Sequence, residues 1–340
     1  GLVLMLFLCM VDYHFFQKKL IAIGAYVLPL ILLVMVFIPG IGVTDGGATR
    51  WIAIGSFNFQ PSETMKIGMV IFYSYVITKN YDNMRYFLRG MLPMLLALLV
   101  PAALLIKEPH ISATALIVMT CIILIFVGGV NLKQFLLIGI IGAAGALLVV
   151  SIMSRNYDYI QKRIQSWVDP FADSQGNTWQ TCQSLIAIGS GGLFGLGLGE
   201  SRQKYLYLPE TKNDFVFSIV CEELGLVGAL TVVLLFTLLV IRGFYIAMRA
   251  KDKFGMLMAI GLTSHIGLQA FFNIAVVSNL IPNTGISLPF FSYGGTALIL
   301  QLAEMGIVLN ISRVRYQSPQ RVPAAERAPQ AEVQLQGGNA

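Results

Sequence analysis

The residues best suited to chemistry in this chain stand in short polar strings set between long apolar runs. The sharpest string is Leu208-Pro209-Glu210-Thr211-Lys212-Asn213-Asp214-Phe215. Asp214 stands at the predicted start of an apolar helix, where a carboxylate has two readings. It complements the positive end of the helix dipole, or, being partly desolvated, it acquires a pKa suited to a general base that takes a hydroxyl proton. Spacing alone leaves both open. Arg202, Lys204 and Lys212 precede it and could hold a pyrophosphate; the plainer reading is solvated loop residues or contact with anionic headgroups. The glycine-rich run Ile188-Gly189-Ser190-Gly191-Gly192-Leu193-Phe194-Gly195 lacks the Gly-Lys-Ser/Thr of a phosphate-binding loop, so close packing or chain re-entry explains it better.

Three further strings are candidates for a shared cavity. In the first, Gly47-Ala48-Thr49-Arg50-Trp51-Ile52 is followed by Phe59-Gln60-Pro61-Ser62-Glu63 and Lys66. Ser62 resembles a helix N-cap, and Glu63 and Lys66, three apart, share a helix face and can pair. That pair reads as an anchor at a helix mouth or as part of a polar site. The second is Lys107-Glu108-Pro109-His110, in a loop so short that its flanking helices must form a tight hairpin; here the alternative is an interfacial turn with a snorkelling Lys107. The third runs from Ile281 to Gly295 and includes Pro282, Gly285, Pro289, Ser292 and Gly294. Its prolines and glycines forbid a continuous helix, and irregular backbone at membrane depth is tolerated where it lines a cavity or is buried in protein. Glu222 lies about 12 Å beyond Asp214 along a helix and about 80° around it, so the two carboxylates are not expected to pair. As a buried acid it needs a partner, for which Lys66 and His265 are the candidates.

The elements that must position these strings are membrane helices. Of the 340 residues, 56 % are hydrophobic and 12 % charged, against about 25 % charged in a soluble domain. Nine apolar segments fall at 1–10, 20–38, 64–78, 91–106, 111–127, 134–153, 214–241, 254–278 and 295–312. Most approach or exceed the length that spans a bilayer, and helices satisfy their own backbone there. The first starts without Met or a charged leader, so it reads as cut short. The loops 11–19, 79–90, 128–133 and 242–253 with the tail carry fourteen Lys and Arg, against two in 39–63, 107–110 and 279–294. The positive-inside rule makes the first set cytoplasmic and turns the second set, with the long loop 154–213, outward. This pattern accounts for the net charge of +6 without nucleic acid. The four cysteines show neither zinc-site nor disulfide spacing and read as packing residues. The tail 314–340, rich in Pro, Ala, Gln and Gly, is expected to be disordered. The fold class is thus all-α and polytopic: residues 1–313 form the membrane domain.

Five strings occur in an order that resembles the SEDS family of FtsW, RodA and SpoVE. They are Gln60-Pro61-Ser62-Glu63 with Lys66; Glu108-Pro109-His110; Leu208-Pro209-Glu210 through Asn213-Asp214-Phe215; Glu222-Glu223-Leu224-Gly225; and Leu288-Pro289 through Ser292-Tyr293-Gly294-Gly295. Glu-Pro-His, and the Asn before Asp214, are similar to the FtsW/SpoVE branch; Glu-Pro-Asp is usual in RodA. The resemblance implies ten helices in the full-length family, and a peptidoglycan glycosyltransferase that joins lipid II disaccharides into strands at the bacterial cell membrane, in division or sporulation. It implies Asp214 as catalytic base, and Arg50, Trp51, Glu63, Lys66, Lys107, Glu108, His110, Arg202, Lys204, Lys212, Glu222 and Ser292 as substrate-binding candidates. Implied partners are undecaprenyl-linked glycan, a class B penicillin-binding protein and other division proteins. No tightly bound cofactor is implied; an assisting Mg2+ or Mn2+ would bind through carboxylates and substrate phosphates. The rivals are a lipid II flippase, which would need polar groups through both halves of the bilayer, a scaffold that recruits a transpeptidase, and a proton-coupled transporter.

Overall fold

A chain that crosses hydrocarbon must satisfy its backbone internally, and in the computed structural model each of the nine predicted segments is helical. The structure describes residues 1–45, 48–54, 57–156, 158–173, 176, 178–206, 208 and 211–313. Gly47, Pro209 and Glu210 of the strings above, and the tail 314–340, lie outside the described residues. In order, the elements are α1 (Leu2–Met10), α2 (Lys19–Met35), β1 (Gly42–Asp45), β2 (Ala48–Ile54), β3 (Phe57–Phe59), α3 (Pro61–Lys79), α4 (Leu92–Lys107), α5 (Ile111–Val127), α6 (Leu132–Asn156), α7 (Asp158–Val168), α8 (Trp179–Ser190), α9 (Gln203–Leu206), α10 (Val216–Met248), α11 (Lys253–Val277) and α12 (Gly295–Arg313). Among the described residues, five helices are long and apolar enough to cross a membrane: α4 with the π turn before it, α6, α10, α11 and α12.

α11 is the centre of the bundle. It packs against α3, α5, α10 and α12, and most of its length is buried. The helices around it are apolar outside as well as inside. Leu136, Leu137 and Ile140 of α6, and Leu230, Leu234 and Leu238 of α10, are all exposed; such all-round apolarity belongs to helices that meet hydrocarbon. α2 and α3 approach closely, since a Cβ on Gly68 would stand 2.0 Å from the Ala25 carbonyl oxygen. Small residues permit this kind of helix crossing.

Several expectations need correction. The stretch 39–63 is not a plain loop but holds an antiparallel meander in the order β1-β2-β3, and the long loop holds α7, α8 and α9. Ser62 is not the N-cap of α3. Gln60 caps the helix and Pro61 takes its first turn, a position where the missing N–H costs nothing. α10 starts at Val216, two residues after Asp214, and runs to Met248 with a break at Gly225, whose φ is 65°. The glycine-rich run fills that break. Leu196 N donates to Glu222 O (3.0 Å), Gly197 N to Glu223 O (3.0 Å), Leu226 N to Gly192 O (2.9 Å) and Val227 N to Leu193 O (3.2 Å). Backbone groups released by the kink are thereby paired. Only glycine fits there, because a Cβ at 225 would lie 2.4 Å from Gly195 N.

Candidate active site

At one end of the bundle the ends of α3, α5 and α12, the middle of α7, Gln269 of α11 and the segment 285–294 meet around a cavity of about 290 Å3. Asp214, Arg50, Trp51, Glu63, Lys66 and His110 all line it. They arrive from four parts of the chain: the turn before α10, strand β2, the first turns of α3 and the loop before α5.

The turn that carries Asp214 is clamped by its neighbours. Asn273 of α11 donates from Nδ2 to the carbonyl oxygens of Asp214 and Ile286, both at 2.6 Å. Ser292 Oγ donates to Asn213 O at 2.6 Å and accepts from Leu288 N at 2.7 Å. Tyr293 N donates to Lys212 O at 2.7 Å. Three successive carbonyls, 212 to 214, are therefore fixed by α11 and by the irregular segment. That segment is itself held: Phe290, with φ of 65°, donates its N–H to Gln301 Oε1 at 3.0 Å. A positive φ at so bulky a residue persists only where the surroundings enforce it.

Lys66 is 4 % exposed. Its ammonium lies 2.8 Å from Glu63 Oε2 and donates to Gln269 Oε1 at 3.4 Å. Gln269 Nε2 passes the chain on to Ser287 O and Ser287 Oγ, both at 3.1 Å. Arg50 donates from Nε to Glu108 O (3.3 Å) and from Nη2 to Pro109 O (2.5 Å), so β2 is tied to the α4–α5 hairpin. His110 is buried, and its Nδ1 meets no partner among the described residues. Burial, with the cations of Arg50, Lys66 and Arg163 nearby, holds its pKa well below the ordinary imidazole value. It is a neutral ring at the cavity wall. Glu108 is buried behind the hairpin, outside the lining. Burial raises its carboxyl to about 8 against the opposing pull of Arg50, so it is protonated at neutral pH.

Other candidates stand away from the cavity. Lys107 lies over the Phe37 ring at 4.9 Å. Arg202 and Lys212 are exposed, and Lys204 pairs with Glu223 at 2.7 Å. Glu222 finds its partners neither in Lys66 nor in His265: it accepts from Ser201 Oγ (2.5 Å), Arg202 N (3.0 Å) and Gln203 N (3.4 Å), which pins the loop before α9. His265 pairs instead with Glu304 of α12 at 2.9 Å. Ser292 acts on the Asp214 turn rather than on the cavity. Arg163 of α7 and Gln269 of α11 line the cavity and escaped the sequence reading; Asn213, read only as part of the Asp214 string, lines it too. Gln269 and Asn273, four apart on an apolar helix, had a readable signal, since polar side chains at that spacing share one face.

Residues 1–317 match the family described as FtsW/RodA/SpoVE cell cycle protein. The chain is 42 % identical over 315 residues to stage V sporulation protein E of Bacillus subtilis, covering 92 % of this chain and 84 % of that protein. It is 39 % identical over 302 residues to the probable peptidoglycan glycosyltransferase FtsW of Geobacter sp. (strain M18), covering 89 % and 81 %. A solved structure on the coordination of polymerization and crosslinking by a peptidoglycan synthase complex superposes with a TM-score of 0.77 at 28 % identity, covering 94 % of this chain and 88 % of that one. The crystal structure of the rod shape determining protein RodA of Thermus thermophilus gives 0.66 at 27 % identity, covering 94 % and 85 %.

Proposed function

The chain belongs to the FtsW/RodA/SpoVE family of cell cycle proteins, and from that premise we propose that it is a membrane peptidoglycan glycosyltransferase. Lipid II is the substrate, and the cavity faces the outer side of the cell membrane, a reading that the charge of the loops supports. The observation that carries the reading is the cavity itself: the carboxylate of Asp214, on a turn whose main chain is held, gathered with Arg50 and Lys66 at the end of a bundle of membrane helices. Asp214 takes the proton from the 4-hydroxyl of the acceptor GlcNAc. The oxygen attacks the anomeric carbon of the donor MurNAc from the face opposite its pyrophosphate, inverts it and forms the β-1,4 bond. Cations in a site shielded from water stabilise the charge that develops on the departing pyrophosphate. His110, neutral and with a buried ring nitrogen free of protein partners among the described residues, is a hydrogen-bonding group for a sugar.

A divalent ion would find two carboxylates in the cavity, and one of them, Glu63, is already paired with Lys66. Among the described residues no three His, Cys, Asp or Glu side chains converge. The donor set therefore suits an ion shared between Asp214 and substrate phosphates rather than one caged by protein. A class B penicillin-binding protein is the partner that crosslinks the strands, and the septum is the site of action.

The deciding experiment gives labelled lipid II to the purified chain with its partner, beside Asp214→Asn. Long strands from the parent, and none from a folded variant that still binds the partner, support the proposal. Equal polymerisation by both removes Asp214 from the chemistry. Transfer of lipid II across vesicles with no strands from either gives the function to the flippase reading.

A further inference from the structure

Two arginines border both the polar cavity and a second, apolar one. The second, of about 220 Å3, is lined mainly by Pro109, Ile111, Val150, Ile164, Ile281 and Pro282, and Arg50 and Arg163 belong to the walls of both. Backbone carbonyls orient the two guanidiniums: Glu108 O and Pro109 O for Arg50, and Asn283 O, at 2.9 Å from Nη1, for Arg163. Arg163 also stands beside the candidate base. A Cβ built on Gly285 would be 3.2 Å from Asp214 Oδ2 and 3.9 Å from Arg163 Nη2.

We propose that Arg50 and Arg163 form the pyrophosphate site of the donor substrate, with the apolar cavity taking the start of its polyprenyl chain. This rests on the glycosyl-transfer reading. A guanidinium presents a planar fork that matches phosphate oxygens, and a site whose one wall is cationic and whose other is apolar matches the junction between a diphosphate and an isoprenoid. The donor, rather than the acceptor, belongs there. Its pyrophosphate is bonded directly to the carbon under attack, whereas the acceptor's lies a disaccharide away from the attacking hydroxyl. A cation beside the base therefore meets the donor's phosphates. In the step, the new C–O bond forms as the bond from the anomeric carbon to the phosphate oxygen breaks. The electron pair leaves on the pyrophosphate, held by the arginines, and the hydroxyl proton goes to Asp214. The cavity admits only the first isoprene units, and the remainder of the chain lies in the bilayer.

The test measures binding of farnesyl pyrophosphate to the full chain in detergent, with farnesol and inorganic pyrophosphate as controls and a strand-polymerisation assay of the wild type in parallel. Arg163→Gln is expected to weaken farnesyl pyrophosphate about tenfold, the loss of one charge-assisted contact, without changing farnesol. Ile281→Trp, which fills the apolar cavity, is expected to weaken farnesyl pyrophosphate but not inorganic pyrophosphate. Arg163→Lys keeps the charge and loses the fork, so a several-fold weakening there carries the test if Arg163→Gln does not fold. A wild type that makes strands, with variants that bind farnesyl pyrophosphate as tightly as it does, overturns the site and leaves glycosyl transfer standing. A wild type that makes no strands yet shows Arg163-dependent binding keeps a polyprenyl pyrophosphate site and overturns the transfer reading.

Discussion

Replacing Lys66 by methionine removes the ammonium from a nearly dry ion pair and leaves Glu63 behind. The two side chains are 3 % and 11 % exposed, and their charges are 2.8 Å apart. Breaking such a pair by deleting one partner costs about 3–5 kcal/mol, because the remaining charge stays desolvated, whereas replacing both partners with neutral groups of similar size is often close to neutral. Residual water access to Glu63 places Lys66→Met toward the lower figure. Glu63→Gln, which strands the more deeply buried ammonium, is expected at the upper one. In Lys66→Met/Glu63→Gln neither charge remains, and most of the loss should return, so the two changes are far from additive, as expected of residues in direct contact. Thermal unfolding in one detergent, at one scan rate, reads this as a double variant more stable than either single. Strand polymerisation separates structure from chemistry: the double variant regains its melting temperature but not activity, since the cavity still lacks the Lys66 ammonium. Losses that add, leaving the double variant less stable than both singles, would refute the reasoning that desolvated charge, rather than local packing, sets the cost.

Asn273→Leu removes both bonds that hold the Asp214 and Ile286 carbonyls; kcat for polymerisation is expected to fall about tenfold to a hundredfold with KM little changed, as for a misplaced catalytic group. Glu108 binds its proton more tightly in the folded chain, with its carboxyl raised from near 4.5 to about 8. Its contribution to stability is therefore full below the ordinary value and is lost as pH rises through about 8; melting temperatures between pH 6 and 9 should fall less steeply in Glu108→Gln than in wild type. Asp214→Glu keeps the charge and moves it by one methylene; polymerisation should drop about a hundredfold if the carboxylate is a positioned base, with the melting temperature unchanged.

The membrane helices were legible because bilayer thickness fixes a length that composition alone reveals, and α4, α5 and α11 fall close to their predicted spans. The short strands were not: a three-residue strand such as Phe57–Phe59 has no periodicity to read. Within the site, the Glu63–Lys66 pair followed from helical spacing, which is local. Arg163 was invisible for the opposite reason. It stands beside Lys162 in a long loop, where basic residues are ordinarily solvated, and only the docking of α7 near Asn283 brings it to the cavity. Glu222 went the other way: a buried acid on an apolar helix invites a functional reading, but its oxygens are taken up by Ser201 and the backbone of 202 and 203.

Of the two readings of Asp214 that spacing leaves open, the geometry supports the proposed base. A charge that serves a helix dipole acts within the first turn and tolerates any rotamer that keeps it near the N-terminus. Asp214 lies before the N-cap, Phe215, and α10 begins only at Val216. Its main chain, with that of the two residues before it, is fixed by side chains and backbone from α11 and the 285–294 segment, which lie far away in sequence. Nothing in helix capping calls for such fixation. A base must be held to a fraction of an ångström, and a rigid main chain is how a short carboxylate is aimed. The irregular segment does this work at a cost in backbone strain at Phe290, where a regular helix would have been cheaper. Strain kept beside Asp214, in a cavity that also gathers Arg50 and Lys66, supports the proposed base over a helix-end charge.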